Sequence, residues 1–407
     1  MRILFIAPQV PWPLDTGGKI RTFHVMKGIA ARHDVTLLAF ETRGTGGSGA
    51  TGDHGPIPDI VSEIEIVTRP DGPVTRLLGV GLGLVGGPPV TIRRYRVPAM
   101  AEKIHRIADR WAIGATHFDS LHTAQYREAA PGTPAVLDEH NVESVVWQRV
   151  AEHASNPLMR QLLRQQAKRV AQHESDRLEV MQRVLCCSTE DRDRLLELAP
   201  QQAAQGDPDP FRVIPNGVDL ESFDGVEPAD FPGTPMVFVG SMDWAPNSDG
   251  VVWFAREILP LIRQQIPDAT FFAVGRNPPA NVQELASIEG VSVSGAVPDV
   301  RPYVLGARVC PVPLRSGSGT RLKILEAFAA RRPVVSTRIG AEGIAVTDEE
   351  NLLLADDPEA FAAAVIRVVK DAELSGRLGE AGRALAEERY SWRAIGEQVA
   401  ALYDEGL

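Results

Sequence analysis

RILFIAPQVPWPLDTGGKIRTFHVMKGIAARHDVTLLAF, residues 2–40, decides the fold class of this chain. It opens on an unbroken apolar run, RILFIAP, which reads as a strand buried on both faces and stopped by proline. A Pro-rich loop, PQVPWPLDTGGK, leads into IRTFHVMKGIAARH, where apolar residues recur at helical spacing. VTLLAF is a second buried strand. Continuous apolar strands alternating with helices predict a parallel sheet covered on both sides.

The alternation continues outward. IVSEIEIV (60–67), AVLDEH (135–140) and RVLCCS (183–188) read as strands, 99–111 as a helix, 142–183 as one long polar helical region, and TEDRDRLLEL (189–198) as a helix. A second set starts at MVFVGSM (236–242). It continues through a helix over 248–265, strands TFFAVG, VSVSGAV, ARVCPVPL and PVVST, a helix near 359–370 and a last helix from about 374. Two βα sets of similar size predict an α/β chain of two doubly wound domains with ligand in the cleft between them. The joining stretch near 219–233 is acidic and Pro-rich (Pro228, Pro232, Pro235 follow closely), which suits a linker.

The chain has 407 residues, enough for two domains, with 44% hydrophobic and 23% charged residues. The net charge is −11, and a net acidic protein is a poor general nucleic-acid binder. Residues 223–407 hold 17 Lys/Arg against 26 Asp/Glu, so most of the acidity lies there. Cys186, Cys187 and Cys310 have no metal-ligand spacing and sit in apolar runs, as buried thiols of a reducing compartment do. MRILFIAPQVPWP is too short and Pro-rich for a signal peptide or a membrane span, and no run reaches 18 apolar residues, so a cytoplasmic protein is expected.

Three motifs mislead. GTGGSG (44–49) matches G-x-G-x-x-G, yet Gly and Pro follow where the fingerprint needs a helix. DTGGKIRT lacks P-loop spacing. Asp207-Pro-Asp209 lies in a loose polar loop, and Asp191-Arg-Asp193 on a helix, where charge is usually solvation; no metal is expected at either.

The small-residue loops carry more. Gly17 and Gly18 fall between the first strand and the first helix, where they serve either an anion at the helix N-terminus or a tight turn that needs glycine. The second set repeats the arrangement in RSGSGTRLKILEAFAARRPVVST (315–337). Arg321 and Lys323 sit in the first turns of the helix there, the wrong sign for the helix dipole unless an anion lies between them and the amides. Glu326, on the same helix, suits a carboxylate accepting vicinal hydroxyls, or a solvent-facing acid.

On these motifs the chain resembles the GT-B glycosyltransferases, specifically the retaining enzymes of glycosyltransferase family 4. The resemblance rests on the Gly17–Gly18 loop, VIPNGVD (213–219), FVGSMDWAPNSDGVVWF (238–254), residues 291–337, GAEGI (340–344) and YSWRAIGEQVAALY (390–403). PQVPWPLDTGGKIRTFH (8–24) and DEHNVESVVWQR (138–149) are similar to bacterial exopolysaccharide sugar transferases of that family.

The resemblance implies two Rossmann-like domains facing a central cleft. Residues 1–220 form the acceptor-side domain and 221–385 the nucleotide-sugar domain, while a C-terminal helix, 386–407, packs back on the first. It implies a retaining, metal-independent transfer from a nucleotide-sugar donor to a saccharide or lipid-linked hydroxyl, with no cofactor. Arg321 and Lys323 would neutralise the leaving diphosphate, with His140 at the donor sugar. Gly17, Gly18, Val297, Ser318, Gly319, Thr320 and Glu326 would line the donor. Glu139 and Asn141 would lie on the acceptor side, and strand alternation lets only one of Asp138 and Glu139 share a face with His140.

Two positions depart from the family pattern. Ser318 stands where the first Glu of the Glu-x7-Glu motif belongs, and SMDWAPNSDG lacks the Arg and Lys that often follow the first strand of the second domain. Competing readings are a GT-B-like nucleotide-sugar epimerase and a non-catalytic nucleotide-sugar-binding protein. An NAD-dependent oxidoreductase is disfavoured by the failed fingerprint. VTRLLGVGLGLVGGPPVTIRRYR (74–96) reads either as a peripheral contact with the inner face of a membrane or as a buried helix-loop with a basic end.

Overall fold

The structure is a computed structural model that describes residues 1–42, 54–69, 88–152, 154, 156–203, 210–316 and 321–406. GTGGSG, Asp207-Pro-Asp209, most of 74–96, and Ser318, Gly319 and Thr320 lie outside these residues. The chain divides into two compact units, one of 1–215 with 395–407 and one of 216–394.

Unit 1 is built on β1 (Arg2–Ala7), α1 (Gly17–Ala30), β2 (Asp34–Thr42), β3 (Glu63–Arg69), α2 (Pro98–Arg110), β4 (Ala115–Asp119) and β5 (Ala135–Glu139). They are followed by α3 (Glu143–Glu152), α4 (Pro157–Leu178), β6 (Arg183–Cys186), α5 (Thr189–Leu198) and β7 (Phe211–Val213). The strands make one parallel sheet of order β3-β2-β1-β4-β5-β6-β7. β4 and β5 are buried at every position, as apolar strands between two helical layers must be.

The long polar helical region is two helices. Pro157 lacks an amide hydrogen and starts α4, while the Asn156 side chain accepts from the amides of Leu158 and Met159 and caps it. Asp191 of the D-x-D candidate is buried, and Ser188 donates to its carboxylate while accepting from its amide at the start of α5. That is a helix cap.

Unit 2 carries β8 (Thr234–Val239), α6 (Ala245–Trp253), β9 (Ala269–Val274), β10 (Val291–Gly295), β11 (Cys310–Val312), α7 (Leu322–Ala329), β12 (Val334–Ser336), β13 (Leu353–Leu354), α8 (Pro358–Lys370) and α9 (Ala372–Arg389). Sheets β10-β9-β8 and β11-β12-β13 are parallel and joined by the bridge between Met236 and Val309. α6 runs on through a π-helical stretch, Phe254–Ile258, to Arg263, because Pro260 supplies no amide to a regular ladder.

The stretch 219–233 packs within unit 2 instead of spanning the two units as a free linker. The Ala229 amide donates to the Pro302 carbonyl, and Phe231 lies against Phe272 with ring centroids 4.2 Å apart. The helix expected from 374 is two, α9 and α10 (Trp392–Asp404), with residues 395 onward in unit 1. There a Cβ at Gly28 would come within 2.4 Å of the Gly396 Cα, so α10 lies on α1 backbone against backbone. All three cysteines are free and buried.

Candidate active site

In unit 1 the site is assembled at the carboxyl ends of β1, β4 and β5. Thr16 caps α1 and leaves Gly17 and Gly18 exposed at its N-terminus. Neither glycine is among those with positive φ, and a Cβ at Gly18 would rest 3.7 Å from His140 Nδ1, an ordinary contact. The turn therefore does not require glycine there. The structure brings Gly18 and His140 together.

His140 follows β5, with its side chain 15% exposed. Its Nε2 lies 2.8 Å from Asp119 Oδ1 and 3.9 Å from Asp138 Oδ2. Burial presses the imidazole toward neutrality, but Asp119 and then Asp138 outweigh it and lift His140 above its ordinary value. Bound through Nε2, the ring turns Nδ1 toward Gly18.

Three residues that sequence reasoning passed over hold this arrangement. Thr22 donates to Asp119 Oδ2 at 2.8 Å. Arg21, 1% exposed, contacts both carboxylate oxygens of Asp138, with Nη2 2.6 Å from Oδ1. Its Nη1 donates to the Ile214 carbonyl at 2.9 Å. Burial opposes the charges, yet the pair raises the guanidinium above, and holds the Asp138 carboxyl below, their ordinary values. The available signal was a charge inside an apolar run: Arg21 in the α1 stripe and Asp119 at the end of ATHFD.

His117, Asp119 and Asp138 have ligand atoms within 4.8 Å of one another, the one such group among the described residues. Every carboxylate oxygen there already has a donor, from His140, Thr22 or Arg21. Arg21 offsets Asp138, and His140 and Thr22 take up the Asp119 oxygens, so a divalent ion would have to displace these partners. His117, pushed down to about 4 by burial, is neutral, and its Nδ1 lies 2.6 Å from the Tyr403 hydroxyl of α10.

Glu139 points away from this cluster and is 2% exposed. Burial, then Glu174 and Glu143, hold its carboxyl well above the usual range. Glu174 in turn accepts from the amides of Glu143 and Ser144 and from the Ser144 hydroxyl, capping α3. Asn141 is half-buried beside His140.

In unit 2, Lys323 Nζ donates to Asn247 Oδ1 at 2.6 Å and lies 4.0 Å above the Phe238 ring. A Cβ at Gly240 would approach Nζ to 3.1 Å and Asn247 Nδ2 to 2.6 Å, so glycine leaves room for both. The lysine thus stands at the carboxyl end of β8, where the sequence itself has no cation. Burial, and secondarily Arg321, push it down to about 7 against the pull of Glu326. Arg321 is buried, donates to the Ile339 carbonyl at 3.3 Å and lies 5.6 Å from the Trp244 ring. Burial raises Glu326, with Lys323 opposing. Val297 is half-buried against the core beyond β10.

Two parallel α/β units with polar side chains gathered at the carboxyl ends of their strands define the GT-B architecture. Sucrose-phosphate synthase of Thermosynechococcus elongatus superposes with TM-score 0.71 and 20% identity, covering 100% of this chain and 99% of that one. HepE of Anabaena, solved in complex with UDP, superposes with TM-score 0.67 and 14% identity, covering 100% of both chains.

The chain belongs to glycosyltransferase family 4: residues 16–222 match the family described as "Glycosyltransferase Family 4", and 234–371 match "Glycosyl transferases group 1". Among curated relatives, a D-inositol 3-phosphate glycosyltransferase of Saccharomonospora viridis is 28% identical over 233 residues, 49% of this chain and 51% of that protein. The chain spans about half or less of the length of the first curated relatives it matches, 37%, 21% and 51%.

Proposed function

We propose that the protein is a retaining, metal-independent glycosyltransferase that moves a sugar from a nucleotide-sugar donor to a saccharide or lipid-linked acceptor hydroxyl. The observation that carries this reading is Lys323, held beside Gly240 at the end of β8 with Arg321 on the same helix start. A glycosyl transition state is oxocarbenium-like, and negative charge grows on the departing diphosphate. Fixed cations there stabilise that charge without reorganisation. They stand in for the missing Arg and Lys after β8 and for a metal.

In this proposal Glu326 accepts the ribose hydroxyls, and the Gly17–Gly18 amides with the His140 Nδ1 proton serve the phosphate and sugar. Asn141 lies on the acceptor side, and the buried Glu139 acts through the loop it supports. HepE was solved with UDP and with UDP-glucose, so UDP-sugars are the first donors to test. Exopolysaccharide synthesis is the proposed setting, on the character of residues 8–24 and 138–149.

The test is thermal stability with UDP, GDP, dTDP, ADP and NAD, followed by transfer assays in chelator. A ligand at about 100 times its dissociation constant adds roughly 2.7 kcal/mol. Stabilisation by one nucleoside diphosphate, with turnover unaffected by chelator, supports the reading. No stabilisation by any diphosphate overturns it. Binding without transfer supports a non-catalytic binding protein, and product formed without acceptor an epimerase.

A further inference from the structure

We propose that the tip of the α3–α4 hairpin is a membrane-docking surface for anionic lipid headgroups. Three of the most exposed large apolar side chains among the described residues flank that turn: Val150 (49% exposed) in the last turn of α3, and Leu158 (70%) and Met159 (51%) in the first turn of α4. The other exposed large apolar side chains among the described residues of unit 1 are Met1, Trp111 and Val180, none of them inside a helix. Loop residues alone do not need Leu and Met in water, because Asn156 already caps α4 and the Arg160 guanidinium donates to the Ala154 carbonyl at 2.8 Å.

On its α4 side this patch borders charge of the opposite sign to the protein. Between Pro157 and His173 the chain carries Arg160, Arg164, Lys168 and Arg169 and no acid, in a protein of net charge −11. Arg160, Arg164 and Lys168 recur every fourth residue, so they share one stripe of α4, where like charges repel. They also stand at the helix N-terminal half, against its dipole. Arg164 and Lys168 are exposed. An apolar tip beside a cationic stripe complements an anionic bilayer: the apolar groups enter the interface and the cations meet the headgroups. A protein partner of matching shape has no such support on this surface.

The location deepens the transferase reading and rests on it for what the membrane presents. α3 starts three residues after His140 and is ten residues long, about 15 Å at 1.5 Å per residue. Glu174 on α4 pins the base of the hairpin to that start. Docking through the tip therefore sets the His140 loop about one helix length from the bilayer, within reach of the head of a lipid-linked acceptor.

The experiment is co-sedimentation of the full chain with vesicles of phosphatidylcholine alone and of phosphatidylcholine with phosphatidylglycerol, at low and high salt. We expect binding to the anionic vesicles only, weakened by salt. It should fall at least about tenfold in Leu158→Ser/Met159→Ser and about fivefold for each charge removed in Arg164→Gln/Lys168→Gln. An unchanged urea midpoint shows that the variants fold, and vesicle binding is read without nucleotide or catalysis, so a failed transferase reading is told apart. The proposal is overturned by absence of wild-type binding to anionic vesicles, or by undiminished binding of both variants. It is also overturned by a dimer in solution that the Leu158/Met159 variant dissociates, which would make a second copy the occupant.

Discussion

Arg21 and Asp138 form a fully buried ion pair that ties α1 to the end of β5 and, through the Ile214 carbonyl, to the last residues of unit 1 before the chain leaves it. Removing one partner strands the other charge inside the sheet. Arg21→Met is expected to cost about 3–5 kcal/mol, read as the urea midpoint. Arg21→Met/Asp138→Leu should recover most of that loss, since breaking a buried pair costs more than replacing it. Equal losses in both variants would reject the pair as the source.

Asp119 sets the protonation of His140. Because the folded imidazole sits above its ordinary value, its stabilising contribution is complete below about pH 6.5 and is lost as pH rises through the folded value. Asp119→Asn removes the largest lifting influence, so the histidine should titrate at lower pH by NMR. The alkaline limb of turnover should move the same way. An unmoved titration would separate the two residues.

Lys323 at about 7 is only about half charged at neutral pH. A bound diphosphate favours the ammonium, so binding should take up a fraction of a proton near pH 7 to 8. Calorimetry in buffers of different ionisation enthalpy reads this directly. Lys323→Ala should abolish the uptake and lower kcat far more than it lowers folding stability. Turnover near the wild-type level would remove Lys323 from the mechanism.

Burial, with Glu174 and Glu143 beside it, holds the Glu139 carboxyl well above its ordinary value in the fold, while an unfolded glutamate ionises near pH 4.3. The raised value means that its contribution is favourable only at low pH and turns into a cost as pH rises. Glu139→Gln should leave stability at pH 4 unchanged. It should increase it toward pH 7 by up to about 1.4 kcal/mol per pH unit above the ordinary glutamate value. Parallel stability curves for the two proteins would show that Glu139 is ionised.

Much of this was legible in the chain alone. Apolar strands such as RILFIAP and VTLLAF cannot be solvated, and their alternation with helices leaves a doubly covered parallel sheet as the economical burial. The cations at the start of α7 stood out because they break a local rule that holds whatever the fold, while the glycine pair before α1 read equally as an anion site or a tight turn. The break at Pro157 and the division of the last helix were missed because helical periodicity runs across them, and local caps end the helices there.

Only the tertiary structure decided what those residues touch. Arg21, Thr22, Asp119 and Asp138 lie up to 117 positions apart, and burial in one sheet is what turns four scattered polar residues into a network around His140. Lys323 is distant in sequence from Gly240, yet its Nζ stands beside that glycine at the carboxyl end of β8. Sequence specifies which side chains carry charge. Their neighbours and dielectric, which set whether the charge is kept, arise only when long-range packing removes water.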